Sequence, residues 1–542
     1  MVDPRRDRAG HGGCDTRFGQ GAPLHSPLVP TSTPVARPPV SAPPHRHRKR
    51  PSRLVRNLLR GGALAVALVV VVVGAGVVYI AYRDHQIQHV VVNGLRAVPP
   101  SGVENVVLVG STSRCALKHQ STAFGLCSQG VTGVNSDVVM ILHLDPRRKT
   151  ASILSIPRDL FVPNARTSGP DKIDAALAQG PQRLVGAIQE DFGIPVQHYV
   201  ELNFDSFQGI VNALGGIRMY FPLPVYDAES SLDIATAGCH LLNGFQALAV
   251  VRARHLQYKA PGVTSRDPHT WPQDPESDLS RIRRDHEFLR VLATAVSARG
   301  LSNPVTDNDL IGSLAPMLEV DSHFSLGDML GTVLTFHGVN PDTAPEQTLP
   351  VMVDADNYYA GGYDYGSVEL TSQPQDLDIV DHFLGVAAGR DTMTGRALPA
   401  PGHVTVTVLN GTGITDQAAS TGSALSALGF RILGAGDTSS EGAVSETTVT
   451  YGAGQQAAAE RVAHDLDGAV VMARGTTAGG ADVTVVTGSD FAVRSAHSSP
   501  AAPAAPASPA ASSSVLAPPS PPTEALAPFD PRSCTASGGE GP

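Results

Sequence analysis

Lysine is nearly absent from this chain. Lys49, Lys118, Lys149, Lys172 and Lys259 are the only lysines among 40 basic residues in a sequence of 542. Positive charge is therefore carried by arginine, a permanent cation whose planar fork suits phosphate oxygens. Cysteine is also scarce. Cys14, Cys115, Cys127, Cys239 and Cys534 form no Cys-x-x-Cys pair, which argues against zinc. If the chain is exported, Cys115 and Cys127 are candidates for a local disulfide, and Cys239 and Cys534 are left without an assigned partner. No GxxxxGK[ST] loop occurs, which argues against a nucleoside triphosphate substrate. G-x-S-x-G, H-E-x-x-H and kinase signatures are missing as well. His143, His198 and His255 have no evident ligand partner and are read as structural. A basic folded face is lacking too. Residues 1–60 hold twelve Lys/Arg and three Asp, a balance of +9, which leaves −19 for the rest of a chain whose net charge is −10. A nucleic-acid binder would carry its positive footprint on the folded domain.

One long apolar run is present. Gly61 to Tyr82 contains no charged residue over 22 positions, about 33 Å as a helix, enough to span a bilayer. Arginines flank it on the N-terminal side. The expected topology is thus a single-pass anchor with the N-terminus cytoplasmic and the bulk extracytoplasmic. The run is too long for a cleaved signal peptide, and no A-x-A site follows. Residues 1–60 read as a disordered basic tail, 83–100 as a stalk and 492–542 as an Ala/Pro/Ser-rich disordered tail.

Between these lie two α/β segments, 101–390 and 403–491, joined by a linker at 391–402. In the first, Asn105–Gly110 and Asp137–Asp145 are continuous apolar runs typical of strands covered on both faces. A third strand, Ile153–Ile156, ends in Pro157-Arg158-Asp159. Strand ends aim side chains from a rigid base, which is where sites usually sit. An alternative reading of Arg158-Asp159 is an ordinary surface ion pair. An Ala-rich helix is expected after Asp174 and an amphipathic one over 181–191. Strands alternating with helices predict an α/β domain around a largely buried central mixed sheet. Residues 256–277 form a Pro-rich loop with the single tryptophan, Trp271, a candidate lid. The helix from Ser277-Asp278 carries Arg281 and Arg284 three positions apart, on one face. The 403–491 segment is a small α/β domain with no His, Cys or carboxylate cluster, and binding or packing is expected of it.

Seven cations fall at element ends: Arg114, Arg158, Lys172, Arg252, Arg254, Arg281 and Arg284. One acid, Asp137, opens a buried strand. Such a set is a poor acid–base hydrolase and a good cradle for a diphosphate, the acid being able to hold a divalent cation.

The segments NVVLVGSTSR, SDVVMILHLDP, SIPRDLFVP, KIDAAL, HYVELNFDSFQGIVNALGGI, VRARH and SRIRRDHEFL occur in an order that resembles the LytR–CpsA–Psr family of membrane-anchored cell-wall phosphotransferases, over roughly 101–390. Residues 403–491, with VTVLNGTG and VTVVTGSDF, are similar to the LytR C-terminal domain. The resemblance implies a polyprenyl-diphosphate-linked glycan as donor, peptidoglycan as acceptor, an apolar pocket for the lipid tail, and Mg²⁺ on aspartate. It implies catalytic roles for Arg158, Asp159, Arg252 and Arg254, diphosphate binding by Arg114, Lys172, Arg281 and Arg284, and a metal on Asp137. The chain departs from the family pattern at Thr112 (usually Asp), Asn135 (Arg), Asp174 (Asn) and Asp285 (Gln). Loss of the carboxylate at 112 is expected to weaken Mg²⁺ binding. Hence a rival reading: a lipid-diphosphate-binding protein with diminished turnover. A transcription regulator would need a cytoplasmic reader, and the tail is the only segment on that side.

Overall fold

In the computed structural model the described residues are 71, 73–299, 311–336, 338–354, 357–438, 444–494 and 525–534. The basic tail, residues 61–70 and 72 of the apolar run, and residues 495–524 lie outside them. Residues 73–84 are helical (α1). Among the described residues no helix is long and apolar enough to cross a membrane.

The first domain is built on β1 (Gln88–Val90), β2 (Glu104–Ser111), β3 (Ser136–Asp145), β4 (Thr150–Ile156), the β5/β6 hairpin (Phe161–Arg166, Gly169–Lys172), helix α2 (Pro181–Phe192) and β7 (His198–Leu202). Two later strands, Glu319–Asp321 and Glu346–Thr348, join them in one seven-stranded sheet. Its order is β1, Glu319–Asp321, β7, β2, β3, β4, Glu346–Thr348. The sheet is mixed: β2 is parallel to β7 and antiparallel to β3, and β3 is antiparallel to β4. The β3–β4 turn is set by Asp145, whose carboxylate accepts the N–H groups of Arg147 and Arg148 at 2.9 and 3.1 Å, as Asp commonly does in turns. Alternation along the strands divides the side chains. Val107, Val109, Ile141, Leu154 and Ile156 pack with Leu184, Val185 and Ile188 of α2. Leu108 and Met140 line a cavity on the other face.

That cavity is closed by α3 (Phe204–Ala213), α4 (Gly244–Arg252) and α5 (Asp278–Arg299), with strand β8 (Ile217–Phe221) between the first two in sequence. A capping box starts α4: Asn243 Oδ1 accepts the Gln246 N–H at 2.9 Å, and Gln246 Oε1 accepts the Asn243 N–H at 3.1 Å. Gly244 is required there, since a Cβ would lie 2.4 Å from the Gln208 carbonyl oxygen of α3.

Several expectations change. The Ala-rich stretch after Lys172 is a 3₁₀ helix, Ile173–Gln179. The 256–277 loop is packed: Trp271 is buried, and Asp274 bonds Arg284 at 2.9 Å. The linker is also packed, with Thr392 Oγ1 donating to the Gly193 carbonyl at 2.7 Å. The second domain is a five-stranded sheet in the order Arg431–Asp437, Thr405–Asn410, Val483–Thr487, Thr447–Tyr451, Val470–Arg474. Finally, residues 525–534, expected to belong to a disordered tail, lie against the first domain. Arg532–Ser533 pairs antiparallel with β8, and Cys534 is joined to Cys239. Both cysteines that lacked partners in the sequence are thereby paired.

Candidate anion-binding site

The site forms where β2 and β4 end, β3 begins, and α4 and α5 meet them. Just past β2, Thr112 and Asn135 hold each other: Thr112 Oγ1 accepts the Asn135 N–H at 3.1 Å and donates to its carbonyl at 3.2 Å. The two departures at 112 and 135 are thus one local device that pins the β2 and β3 ends together. Arg114 follows. Its Nη1 donates to the Thr112 carbonyl at 2.6 Å and its Nε to the Phe124 carbonyl at 3.1 Å. Phe124 lies in the loop closed by the Cys115–Cys127 disulfide.

Arg252, the last residue of α4, faces Arg114 across Phe204. Both guanidiniums stand 4.9 Å from that ring, and Arg252 is also 4.8 Å from Phe124. Stacking on aromatic faces offsets part of the desolvation cost of a cation. Among the described residues neither arginine makes an ion pair, and Arg252 Nη1 is buried without a hydrogen-bond partner. Burial lowers the pKa of Arg114. Burial, with the Arg114 charge, lowers that of Arg252. In both cases burial outweighs the pull of the nearby Asp137 carboxylate.

The other cations are compensated. Asp137 accepts from Arg158 Nη1. Asp159 is a hub, 3.3 Å from Arg158 Nε, 3.0 Å from Lys172 Nζ and 3.2 Å from Arg254 Nη2. Burial alone would raise the Asp159 pKa, but these three cations bring it below the usual carboxylate range. Asp278, at the start of α5, was not singled out in the sequence. It pairs with Arg254 at 2.8 Å and Arg281 at 3.2 Å. Arg281 also donates to the Asp137 carbonyl at 2.7 Å. Burial works against the Arg158 charge, yet Asp137, Asp159, Asp278 and Asp174 together hold its pKa above the ordinary value. Arg158-Asp159 is therefore no surface pair but the centre of an ordered network.

Six of the predicted residues, Arg114, Asp137, Arg158, Arg252, Arg254 and Arg281, line one polar pocket of about 260 Å³. Asp159 and Lys172 stand behind it. Arg284 does not join them. It is almost fully buried, bonded to Asp274, to Asp530 and to the Ala253 carbonyl. The α5 positions 281 and 284 share a face, but Arg284 points at internal acceptors, and its expected diphosphate contact is corrected to a structural one.

Beside the polar pocket lies an apolar cavity of about 150 Å³. Leu108, Met140, Phe207, Phe288 and Leu292 line it, and it shares Asp137, Arg252 and Arg281 with the polar pocket. Asp285 is on its wall. Burial pushes the Asp285 carboxyl up to about 8 against the pull of Arg281, whose Nε lies 3.7 Å from Oδ2, and of Arg284. Sequence reasoning missed the shelf formed by Phe124 and Phe204, since nothing local distinguishes those residues from core aromatics.

Five arginines beside an apolar cavity define a site for an amphiphile with an anionic head. The profile of the LytR_cpsA_psr family matches residues 98–375, and that described as LytR cell envelope-related transcriptional attenuator matches 403–491. The chain belongs to the LytR–CpsA–Psr family. It is 31% identical over 330 residues to the probable cell wall biosynthesis protein LcpB of Corynebacterium glutamicum, covering 60% of this chain and 71% of that one. It is 30% identical over 207 residues to the polyisoprenyl-teichoic acid–peptidoglycan teichoic acid transferase TagT of Bacillus subtilis, covering 37% of this chain and 57% of TagT. Among solved structures, the LytR-Csp2A-Psr enzyme from Actinomyces oris matches 55% of this chain and 95% of its own, at 22% identity and a TM-score of 0.43.

Proposed function

We propose that this protein is a membrane-anchored, extracytoplasmic phosphotransferase that moves a glycopolymer from a polyprenyl-diphosphate carrier to peptidoglycan. The observation that carries the reading is the pair Arg114 and Arg252, two guanidiniums without a carboxylate partner among the described residues, beside an apolar cavity. A polyprenyl diphosphate has the matching parts: two phosphates for the arginines and a hydrocarbon chain for the cavity. The names of TagT and its relatives, which specify polyisoprenyl-linked teichoic acid and peptidoglycan, support the same donor and acceptor classes. The apolar run 61–82 and its basic flank support the topology.

In the reaction an acceptor sugar hydroxyl attacks the glycan-bearing phosphorus. A new P–O bond forms, the diphosphate bridge breaks, the hydroxyl proton is released, and polyprenyl phosphate leaves. Arg114, Arg158 and Arg252 balance charge on the equatorial and leaving oxygens, and such fixed charges carry most of the catalysis in phosphoryl transfer. Arg254 and Arg281, tied to Asp278, orient the cradle. Asp137, whose Oδ1 accepts from Arg158 Nη1, would be the single protein carboxylate to hold, through its other oxygen, Mg²⁺, a metal commonly held by one or two carboxylates plus substrate phosphates. When bound it would neutralise phosphate charge. Thr112 Oγ1 is engaged with Asn135 and adds no carboxylate. That observation favours the second reading, a lipid-diphosphate-binding protein with reduced turnover.

The test is transfer by the full chain in detergent, from a polyprenyl-diphosphate-linked glycan, followed by mass spectrometry of the lipid product. Expected is release of polyprenyl phosphate, reduced by EDTA and reduced at least about 10²-fold in Arg158→Ala, while that variant still melts cooperatively. Undiminished transfer by Arg158→Ala would remove the site assignment. Tight lipid binding without release, with or without Mg²⁺, would establish the binding-protein reading.

A further inference from the structure

We infer that residues 525–534, at the far end of the Ala/Pro/Ser-rich segment, are a working part of the anion site, with Asp530 a positioning residue for Arg252 and Arg254. This rests on the reading of that site as a diphosphate cradle.

The segment is seated on α5 by several independent contacts. Phe529 stacks on Tyr258, with centroids 4.2 Å apart, and belongs to the same apolar cluster as Phe288. The Ser533 N–H donates to Glu287 Oε1 at 2.6 Å. Asp530 is fully buried. Its Oδ2 is 3.1 Å from Arg283 Nε and its Oδ1 3.2 Å from Arg284 Nη1.

The path from Asp530 to the site is short. Arg284 spans three groups: Asp530, Asp274 at 2.9 Å, and the carbonyl of Ala253 at 2.6 Å. Ala253 caps the C-terminal end of α4 and lies between Arg252 and Arg254. The Arg284 guanidinium therefore fixes the peptide from which both site arginines project. It can do so because two carboxylates approach the same guanidinium nitrogen and leave the other, Nη2, for the carbonyl. Without the Asp530 charge, two buried arginines on adjacent positions of α5 share fewer anions. Arg284 is then drawn toward Asp274 and away from Ala253, since a buried charge follows its remaining partner. A chain ending near 494 would keep every pocket-lining residue and lose the group that aims two of them.

The experiment uses the full chain in detergent and geranylgeranyl diphosphate as the probe, with affinity and thermal midpoint measured on the same samples. Asp530→Asn keeps the shape and removes the charge. Expected is an affinity about tenfold weaker, with a midpoint still well above the assay temperature. The loss is expected to vanish in an Arg252→Ala/Arg254→Ala background, where adding Asp530→Asn leaves binding within about twofold of that background alone. A purely structural Asp530 would instead weaken both backgrounds equally, and that outcome, or wild-type affinity in Asp530→Asn, overturns the inference while leaving the site reading intact. If Asp530→Asn does not fold, Asp530→Glu, which keeps the charge but displaces Arg284, is expected to fold and bind more weakly, and unchanged binding there overturns it as well. Equal affinity of wild type and Arg252→Ala would overturn the site reading and this inference together.

Discussion

Single residues in this protein are governed by where burial outweighs charge. Glu460 is an instance away from the site. It is fully buried and receives the Thr392 N–H at 3.3 Å. Burial, reinforced by Asp391 and Asp381, pushes its carboxyl up to about 8. The folded form is thus protonated at neutral pH, whereas an unfolded Glu is ionised above about 4.5. A folded pKa raised above the unfolded one makes a contribution that is complete below the unfolded value and is lost as pH rises through the folded one. Glu460→Gln, a neutral replacement, is expected to melt near the wild-type temperature at pH 5 and several degrees higher at pH 8. Calorimetry at the two pH values checks it, and a pH-independent difference would contradict it. Asp285 shows the same direction within the site, where burial raises its carboxyl against the nearby Arg281 and Arg284 charges.

At the scale of elements, the site depends on how closely α4 crosses α3. The capping box fixes where α4 begins, and Gly244 allows the Gln208 carbonyl to approach. Gly244→Ala is expected to destabilise the fold by about 1–3 kcal/mol, the usual cost of forcing atoms into a packed contact. It is also expected to weaken diphosphate binding, because α4 carries Arg252. Denaturant unfolding and binding on the same preparation test both. A stable variant with wild-type affinity would show that the crossing relaxes without moving the arginine. The seven-stranded sheet contributes differently: β2 and β4 end, and the antiparallel β3 begins, at the same edge of the sheet, so Arg114, Asp137 and Arg158 converge from separate strands.

On the whole-molecule scale, one disulfide closes a loop of the first domain and another ties the 525–534 segment to it. Cys115–Cys127 closes a short loop, a sequence separation of 12. Closing a loop of that order is worth about 3 kcal/mol in the chain-entropy view. That loop holds Phe124 beneath Arg252. The double variant Cys115→Ser/Cys127→Ser is expected to lower the thermal midpoint and to weaken diphosphate affinity. A drop in midpoint with affinity unchanged would separate the loop from the site. The second domain is joined to the first by polar contacts. Tyr451 Oη donates to the Glu190 carbonyl at 2.8 Å, and Arg474 pairs with Glu190 at 3.1 Å.

What the sequence determined by itself is what depends on neighbours in the chain. Uninterrupted apolar runs made β2 and β3 legible, and Arg158-Asp159 could be placed at the end of β4 because a proline ends the run. The i,i+3 spacing put Arg281 and Arg284 on one face of α5. The two α/β domains followed from alternating strand and helix patterns. Tertiary structure alone decided which charges meet. Lys172 and Arg254 are far apart in sequence and share the Asp159 carboxylate. Arg284 looks like Arg281 along the helix, yet it is committed to Asp274 and Asp530. The residues from 525 to 534 share Ala, Pro and Ser with the tail before them but add Phe529, Asp530, Arg532 and Cys534, and only the buried partners waiting on α5 and β8 give them a place. Local pattern is set by backbone geometry, but the partner of a long polar side chain is set by whichever buried opposite charge the fold brings within reach.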